Sequence, residues 1–528
     1  MGIYINLGNE GFKTARRGEY VDKSELIDVI NATLGTERMF SCVSRCRRFG
    51  KSMAAKMLNA YYDQSCDSRP LFQDLKIAGR PSFEEHLNKY PVIYLDMTNF
   101  TTRNIPKSEI IPSIQQEIKA EVQACYPNAD ITAEDDLMNA LTKIASHYHL
   151  QFFMIIDEWD AICREFLGDK EEMDRYVNML RRLFKGSNTA QVFVGAYMTG
   201  ILPIKKYKTE SALNNFTEYS MVKPGKLAGY FGFVKDEVMA LAAKHGMSYD
   251  DLEKWYDGYQ IGDEHAIFNP NSVMLALYND YCESYWGSTG SYDAVANYIQ
   301  MNFDGLKDDI ISMLAGERVP VNSETFQNDM SVIQYKDDVL TVLIHLGYLS
   351  YDRQNKECYI PNREVAIEMT NAVKANNWQN VVSAIETSRL LLQATLDGNA
   401  EAVAKGIEAV HDENTSILSY NNENSLACVL SLAFYAARND YHLHREYATG
   451  KGFADLVLIP RKNVTSPAVV IELKYGDTAD TALTQIRHRN YPAKIAEYTG
   501  DLLLVAISYD RQTKQHTCQI ERMSKDKE

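Results

Sequence analysis

The sequence predicts an α/β protein that opens with a parallel sheet wrapped by helices and closes with a second, smaller α/β part. Two observations carry this. Between Phe40 and Gly200, apolar strand-like runs alternate with helical stretches, and polar residues collect at the C-terminal ends of the runs, where open parallel sheets bind ligands. Near the C-terminus, helical stretches give way to three apolar strands, "FADLVLIP", "AVVIELKY" and "DLLLVAIS". A chain of 528 residues exceeds one ordinary core, and we expect three parts, residues 1–224, 225–377 and 378–528.

The elements follow in order. In "YVDKSELIDVINATLG", Asp22 and Glu25 stand three apart like a capping box, ahead of a helical pattern that stops at Gly35. "RMFSCVS" is a short strand, and "KSMAAKMLNAYY" puts Met53, Met57, Leu58 and Tyr61 at helical spacing. "YPVIYLDMTNF" is a second strand, with helices expected over 107–124 and 133–148. "QFFMIIDEWDAI" is a third strand, ending in acids. A helix with Met173, Tyr176, Val177, Leu180 and Phe184 on one face leads to the fourth, "AQVFVGAYMTG". From 225 to 330 the pattern is mainly helical, broken by loops such as "WYDGYQIGDE". "DDVLTVLIHLGYLSYDRQNKECYIPNREVAIEM" then gives helix, strand, turn and strand, an order that suits a winged helix and equally other small α+β pieces.

Composition narrows the setting. No run of about 18 apolar residues exists to span a bilayer, and "MGIYINLGNEGF" has neither a secretory signal's regions nor, with Asn6, a myristoylation pattern. Nine cysteines without a C-x-x-C pair speak against a disulfide framework or zinc knuckle, and a reducing cytoplasm is the expected home. "HYH" ends a helical stretch without an acidic or Cys partner nearby, and for it and "HLH" surface histidines are the default reading. The net charge of −16 excludes a uniformly basic surface, yet from Asp440 onward 13 basic residues face 12 acidic ones, leaving −17 on the preceding part. Nucleic acid, if bound, is expected at the C-terminal end.

Two constellations carry chemistry. "VSRCRRFGKSM" ends like the phosphate loop G-x-x-x-x-G-K-[ST], with Gly50, Lys51 and Ser52 in place and Arg45 where the first glycine belongs. Such a loop, through Phe49 to Met53, binds ATP phosphates on its N–H groups, with Lys51 on the β- and γ-phosphates and Ser52 on Mg²⁺. The strand "FFMIIDE" supplies Asp157 for the metal shell and Glu158 to orient and deprotonate water. Thr199 is either a γ-phosphate sensor or a turn residue before Gly200. Arg45, Arg47 and Arg48 either neutralise triphosphate charge or pair with acids elsewhere.

In the second constellation, Glu472 and Lys474 share one face of "VVIELK", and Asp455 opens a strand seventeen residues earlier. A hairpin through "RKNVTSP" brings Asp455 and Glu472 to one Mg²⁺, with Lys474 polarising water or phosphate, as phosphodiester cleavage requires. The plainer reading is a hairpin with a surface ion pair. Glu423 is either a further ligand or an acid suited to a helix N-terminus, and Gln485 lies where it can meet metal water or DNA. Arg487, His488, Arg489 and Tyr491 add a basic, aromatic edge.

With these residues in order, the chain resembles a bacterial and archaeal family of AAA-ATPase-like proteins with a C-terminal PD-(D/E)XK nuclease-superfamily domain. The carriers are "NLGNEGFKTARRGEYVDKSELI", "SRCRRFGKSM", "FFMIIDEWDAI", "VFVGAYMTGILPI", "WYDGYQIG", and "KGFADLVLIP" with "AVVIELKYG". The family's own loop has the form S-R-x-R-R-F-G-K-S. The resemblance implies an additional-strand P-loop core, phosphate and Mg²⁺ contacts from Lys51 and Ser52, metal and water roles for Asp157 and Glu158, and a nuclease motif of Asp455, Glu472 and Lys474. It implies an ATPase coupled to a DNA nuclease, with self-association through the ATPase domain as a further expectation. The alternative is a nucleotide-controlled switch whose nuclease-like domain binds nucleic acid or a partner without cutting.

Overall fold

The computed structural model describes residues 2–166, 169–204, 206–207, 210–211, 213–286, 298, 301, 303–314, 316–329, 332–375, 379–414, 430, 433–434, 437, 440–448, 453–461, 465–475, 479, 481, 483–484, 500–510, 513 and 515–523. The chain divides into two compact units, Met1–Tyr285 with Pro320–Pro361, and Trp286–Val319 with Asn362–Glu528.

The first unit is built on a five-stranded parallel sheet of β1 (Phe40–Ser44), β2 (Val92–Asp96), β3 (Phe152–Asp157), β4 (Phe193–Gly200) and β5 (Thr217–Tyr219), in the order β2-β3-β4-β1-β5. β4 therefore lies between the strand feeding the phosphate loop and the strand ending in acids, the additional-strand arrangement that the resemblance implies. The strands read as continuous apolar runs because both faces are covered. In β3, Phe152, Met154 and Ile156 join one core cluster, while Phe153 and Ile155 join the other. Burying each such side chain contributes about 1.5–3 kcal/mol.

The helices follow their sequence signals closely. Lys107–Cys125 falls where expected, and Leu137–Tyr148 starts four residues later than expected, capped by the Asp136 side chain accepting from the Asn139 N–H. Lys170–Phe184 starts on the Asp169 cap and buries Met173, Tyr176, Val177, Leu180 and Phe184. α1 (Lys51–Tyr62) buries Met57, Leu58 and Tyr61, but Met53 is 39% exposed. Met53 stands in the first turn beside the loop, ahead of the part of the helix that packs on the sheet.

Two local expectations need correcting. The Asp22 carboxylate accepts from the N–H groups of Ser24 and Lys76, both at 2.8 Å, so the helix begins later, on Glu25, and spans only Leu26–Asn31. The "WYDGYQIGDE" stretch is more than a loop: Tyr259–Ile261 and Glu264–Ile267 pair as an antiparallel hairpin. The helix Lys336–Leu346 and the antiparallel pair Ser350–Asp352 and Glu357–Tyr359 keep the expected helix–strand–turn–strand order.

The second unit carries helices Leu306–Leu314, Arg363–Ala375, Gln379–Leu396 and Ala400–Asn414. Its sheet joins β6 (Tyr441–Ala448), β7 (Phe453–Pro460), β8 (Ala468–Tyr475), β9 (Leu502–Tyr509) and β10 (His516–Met523) in chain order. All neighbours run antiparallel except β8 and β9. Val457, Ala468, Val470, Leu502 and Leu504 form one face's core. Among the described residues no helix is long and apolar enough to cross a membrane, and eight cysteines are free thiols.

Candidate functional site

The phosphate loop runs from the end of β1 to Gly50, the N-cap of α1. Gly50 has φ +88°, a left-handed conformation that costs a side-chain-bearing residue but not glycine. A Cβ there would meet no atom within 4 Å, so the space before the helix is open. No side chain caps this 12-residue helix. The N–H groups of Lys51, Ser52 and Met53 precede the first intrahelical donor, the Ala54 N–H bonded to the Gly50 carbonyl, and lie at the positive end of the dipole. Lys51 is only 4% exposed; its Nζ donates to the Cys46 carbonyl at 3.1 Å and lies 3.5 Å from Glu158 Oε1.

The tip of β3 faces this loop. Asp157 is buried, which pushes its carboxyl above the usual range, while the Thr199 and Ser52 hydroxyls bonded to it work the other way. The Thr199 hydroxyl donates to Asp157 Oδ1, and the Tyr94 hydroxyl from β2 donates to Oδ2 at 3.3 Å. Register explains the meeting: Val43 pairs with Thr199, and Asp96 with Asp157, so the ends of four parallel strands converge. Thr199 lies inside β4 and is fully buried, so it is not a turn residue. Glu158 stands at φ +51°, its N–H donating to Asp157 Oδ1 at 3.1 Å and Thr199 Oγ1 at 3.3 Å.

Sequence reasoning missed the residues behind Glu158. Arg164 Nη2 donates to Glu158 Oε2 at 2.6 Å, and its Nε lies 3.3 Å from Asp160 Oδ2. Asp160 is fully buried and accepts from the N–H groups of Ile201 at 3.2 Å and Leu202 at 2.9 Å. Burial raises its carboxyl and Arg164 opposes that. Gly200 makes room for this arrangement: a Cβ there would come within 2.6 Å of the Trp159 ring. The available signal was the third acid of "DEWD" with an arginine four residues on.

The arginines of the loop do not act together. Arg45 is wholly buried, and its guanidinium donates to the carbonyls of Ser44 at 2.9 Å, Tyr219 at 2.8 Å and Leu227 at 3.3 Å. It also lies 5.4 Å from the centre of the Phe231 ring, and burial lowers its pKa to about 10. Among the described residues it makes no ion pair with an acid; it ties the end of β1 to the 219–231 segment. Arg47 is exposed, and Arg48, at φ +68°, donates to the Tyr285 carbonyl at 3.2 Å. The Phe49 ring is buried edge-on to Tyr259 at 5.1 Å, and its carbonyl accepts the Gly232 N–H at 3.2 Å.

The donor set suits a Mg-nucleotide: an open, uncapped helix start for phosphate, and the oxygens of Ser52 and Asp157 for a hard cation that keeps waters and phosphate oxygens as its other ligands.

In the second unit, β7 and β8 pair with Leu456 opposite Ile471, so the next step sets Asp455 beside Glu472. Asp455 Oδ2 accepts the Leu473 N–H at 2.7 Å. Glu472 is 2% exposed and lies 3.8 Å from Lys474 Nζ, so the pair is not a surface one. Two carboxylates and a lysine thus meet on two adjacent interior strands of the sheet. Among the described residues no cluster of three or more His, Cys, Asp or Glu side chains forms a metal site. Glu423, Gln485, Arg487, His488, Arg489 and Tyr491 lie outside the described residues.

Comparison with known proteins agrees with this layout. Residues 6–209 match a family model described as a predicted AAA-ATPase, and residues 421–518 match the PD-(D/E)XK nuclease superfamily. No curated protein is a significant match. Solved structures similar to the chain include a DNA replication initiation factor, at 11% identity and a TM-score of 0.24, covering 79% of this chain and 96% of that one. Another is the Aeropyrum pernix ORC1 protein in complex with DNA, at 12% identity and 0.21, covering 72% and 99%. The replication initiator DnaA bound to AMPPCP and single-stranded DNA matches at 9% identity and 0.23, covering 79% and 95%. Likenesses of this size say nothing of what this chain binds. The chain joins an AAA-ATPase-like domain at residues 6–209 to a PD-(D/E)XK nuclease-superfamily domain at residues 421–518.

Proposed function

We propose that the protein is a cytoplasmic ATP hydrolase whose ATPase domain controls a Mg²⁺-dependent nuclease domain acting on DNA. The observation that carries the ATPase half is the convergence of Lys51, Ser52, Asp157, Glu158 and Thr199 at the ends of β1, β3 and β4. Lys51 binds the β- and γ-phosphates, leaving its place beside Glu158, and the N–H groups of Gly50 to Met53 hold the phosphate oxygens. Ser52 and Asp157 hold Mg²⁺, which neutralises charge on the phosphates. Glu158 orients and deprotonates the attacking water, and Thr199 senses the γ-phosphate from beside Asp157. In the nuclease half, Asp455 and Glu472 hold the metal, Lys474 stabilises negative charge on the scissile phosphate, and Glu423 and Gln485 complete the site.

The test is phosphate release by the full-length protein, run beside cleavage of single- and double-stranded DNA with ATP, ADP and no nucleotide. ATP turnover that Lys51→Ala abolishes supports the reading. A protein that neither binds nor hydrolyses ATP contradicts the first half, and one that cuts no DNA under any condition contradicts the second.

A further inference from the structure

We propose that Arg164 is the positioning residue of the ATPase site, holding the Glu158 carboxylate in place when Lys51 turns to the nucleotide. The inference rests on the ATPase reading above and assigns a residue it leaves out. Four side chains form an alternating chain: Lys51 Nζ lies 3.5 Å from Glu158 Oε1, Glu158 Oε2 accepts from Arg164 Nη2 at 2.6 Å, and Arg164 Nε lies 3.3 Å from Asp160 Oδ2. The far end is fixed. Asp160 is fully buried and accepts N–H groups from Ile201 and Leu202, directly after β4, the strand that also presents Thr199. The Trp159 N–H, donating to the Thr199 carbonyl at 2.8 Å, pins the intervening backbone.

The near end is free to change. An incoming triphosphate carries more negative charge than one carboxylate, so it draws Lys51 away and leaves Glu158 with one of its two cations. With Arg164 present, Glu158 keeps a short, charge-assisted bond to a guanidinium paired with the buried Asp160, and its carboxylate stays at the tip of β3. Without Arg164, the carboxylate is free to follow Lys51 toward the phosphates or turn to solvent. A misplacement of about 1 Å costs on the order of 10²-fold in rate. Asp160, the N-cap of the helix Ala161–Glu165, and Arg164 are spaced i,i+4, so their pairing is local, while the N–H groups of Ile201 and Leu202 hold Asp160 from a distant segment.

The test compares Arg164→Ala, Arg164→Lys and Glu158→Gln with the double variant Glu158→Gln/Arg164→Ala in the full chain. Arg164→Ala is expected to lower kcat by about 10- to 100-fold while the Kd for a fluorescent, non-hydrolysed ATP analogue changes less than about threefold. Arg164→Lys, which keeps a cation, is expected to recover part of the loss. Adding Arg164→Ala to Glu158→Gln is expected to change kcat no further, because the arginine acts through that carboxylate. Thermal unfolding checks that each variant is folded, and Arg164→Lys and Arg164→Gln carry the comparison if the alanine variant is not.

Weakening of analogue binding by more than about tenfold would place Arg164 on the phosphates instead and overturn the inference. So would an unchanged kcat, or a further fall on top of Glu158→Gln. A wild-type protein that binds the analogue without turning over ATP overturns the ATPase reading, and this inference with it.

Discussion

The two candidate sites are assembled in opposite ways. In the first unit, Lys51, Tyr94, Asp157 and Thr199 come from four distant segments, and a parallel sheet brings their strand ends together. In the second, Asp455 and Glu472 sit on adjacent antiparallel strands, and pairing register alone sets them side by side. The first site is also the more self-contained: Lys51, Glu158, Arg164 and Asp160 alternate in charge, and Asp157 is bonded to two hydroxyls from neighbouring strands. Sequence spacing therefore carries real geometric information for a hairpin site. For a crossover-built site it names the residues without their arrangement.

Independent assembly predicts independent loss. Lys51→Ala is expected to reduce ATP turnover by about 10³-fold or more and leave nucleotide-free, metal-dependent DNA cleavage unchanged, checked by phosphate release and a labelled-DNA assay. Glu472→Ala is expected to do the reverse, with cleavage falling on the order of 10³-fold and ATP affinity intact. If either variant removed both activities while remaining folded, the contrast between two separately built sites would break.

Arg45→Ala sharpens the same contrast from the structural side. It leaves the carbonyls of Tyr219 and Leu227 without their donor and opens a cavity, and is expected to cost about 2 kcal/mol in denaturant unfolding. ATP affinity is expected to change little, because the guanidinium is fully buried on backbone carbonyls. A loss of affinity without a loss of stability would return Arg45 to the phosphates.

The smallest effect concerns Asp257, whose Oδ1 is buried with no hydrogen-bond partner among the described residues and whose pKa burial raises to about 6. The folded state then holds this proton to higher pH than the unfolded chain does. Stability falls as pH rises from about 4 to about 6 and stays lowered above that window. Asp257→Asn is expected to stabilise the first unit by about 1 kcal/mol at pH 7 and to give no gain below about pH 4, measured by urea unfolding at both values.

Much of this was legible in the sequence, for identifiable reasons. β1 to β4 are buried on both faces and read as apolar runs, and the strands of the Asp455–Glu472 hairpin do the same. Strand order was not readable from pattern, since crossovers set it, and the additional-strand arrangement entered only through the family resemblance. β6, "YHLHREYA", and β10, "HTCQIERM", escaped notice because edge strands carry polar side chains at most positions. Arg45 was misjudged because its partners lie in the 219–231 segment, far along the chain, and local context supplied only the phosphates. Asp160 and Arg164 were visible as letters, but only the backbone just after β4 shows what holds Asp160.

The central claim, two separate activities in one chain, is tested most directly by incubating labelled single- and double-stranded DNA with wild type, Lys51→Ala and Glu472→Ala in Mg²⁺, with and without ATP, while following phosphate release in the same tubes. The account predicts that wild type releases phosphate and cuts, Glu472→Ala releases phosphate without cutting, and Lys51→Ala releases none yet still cuts without nucleotide. Phosphate release with no DNA cut by the wild-type protein under any condition would contradict it.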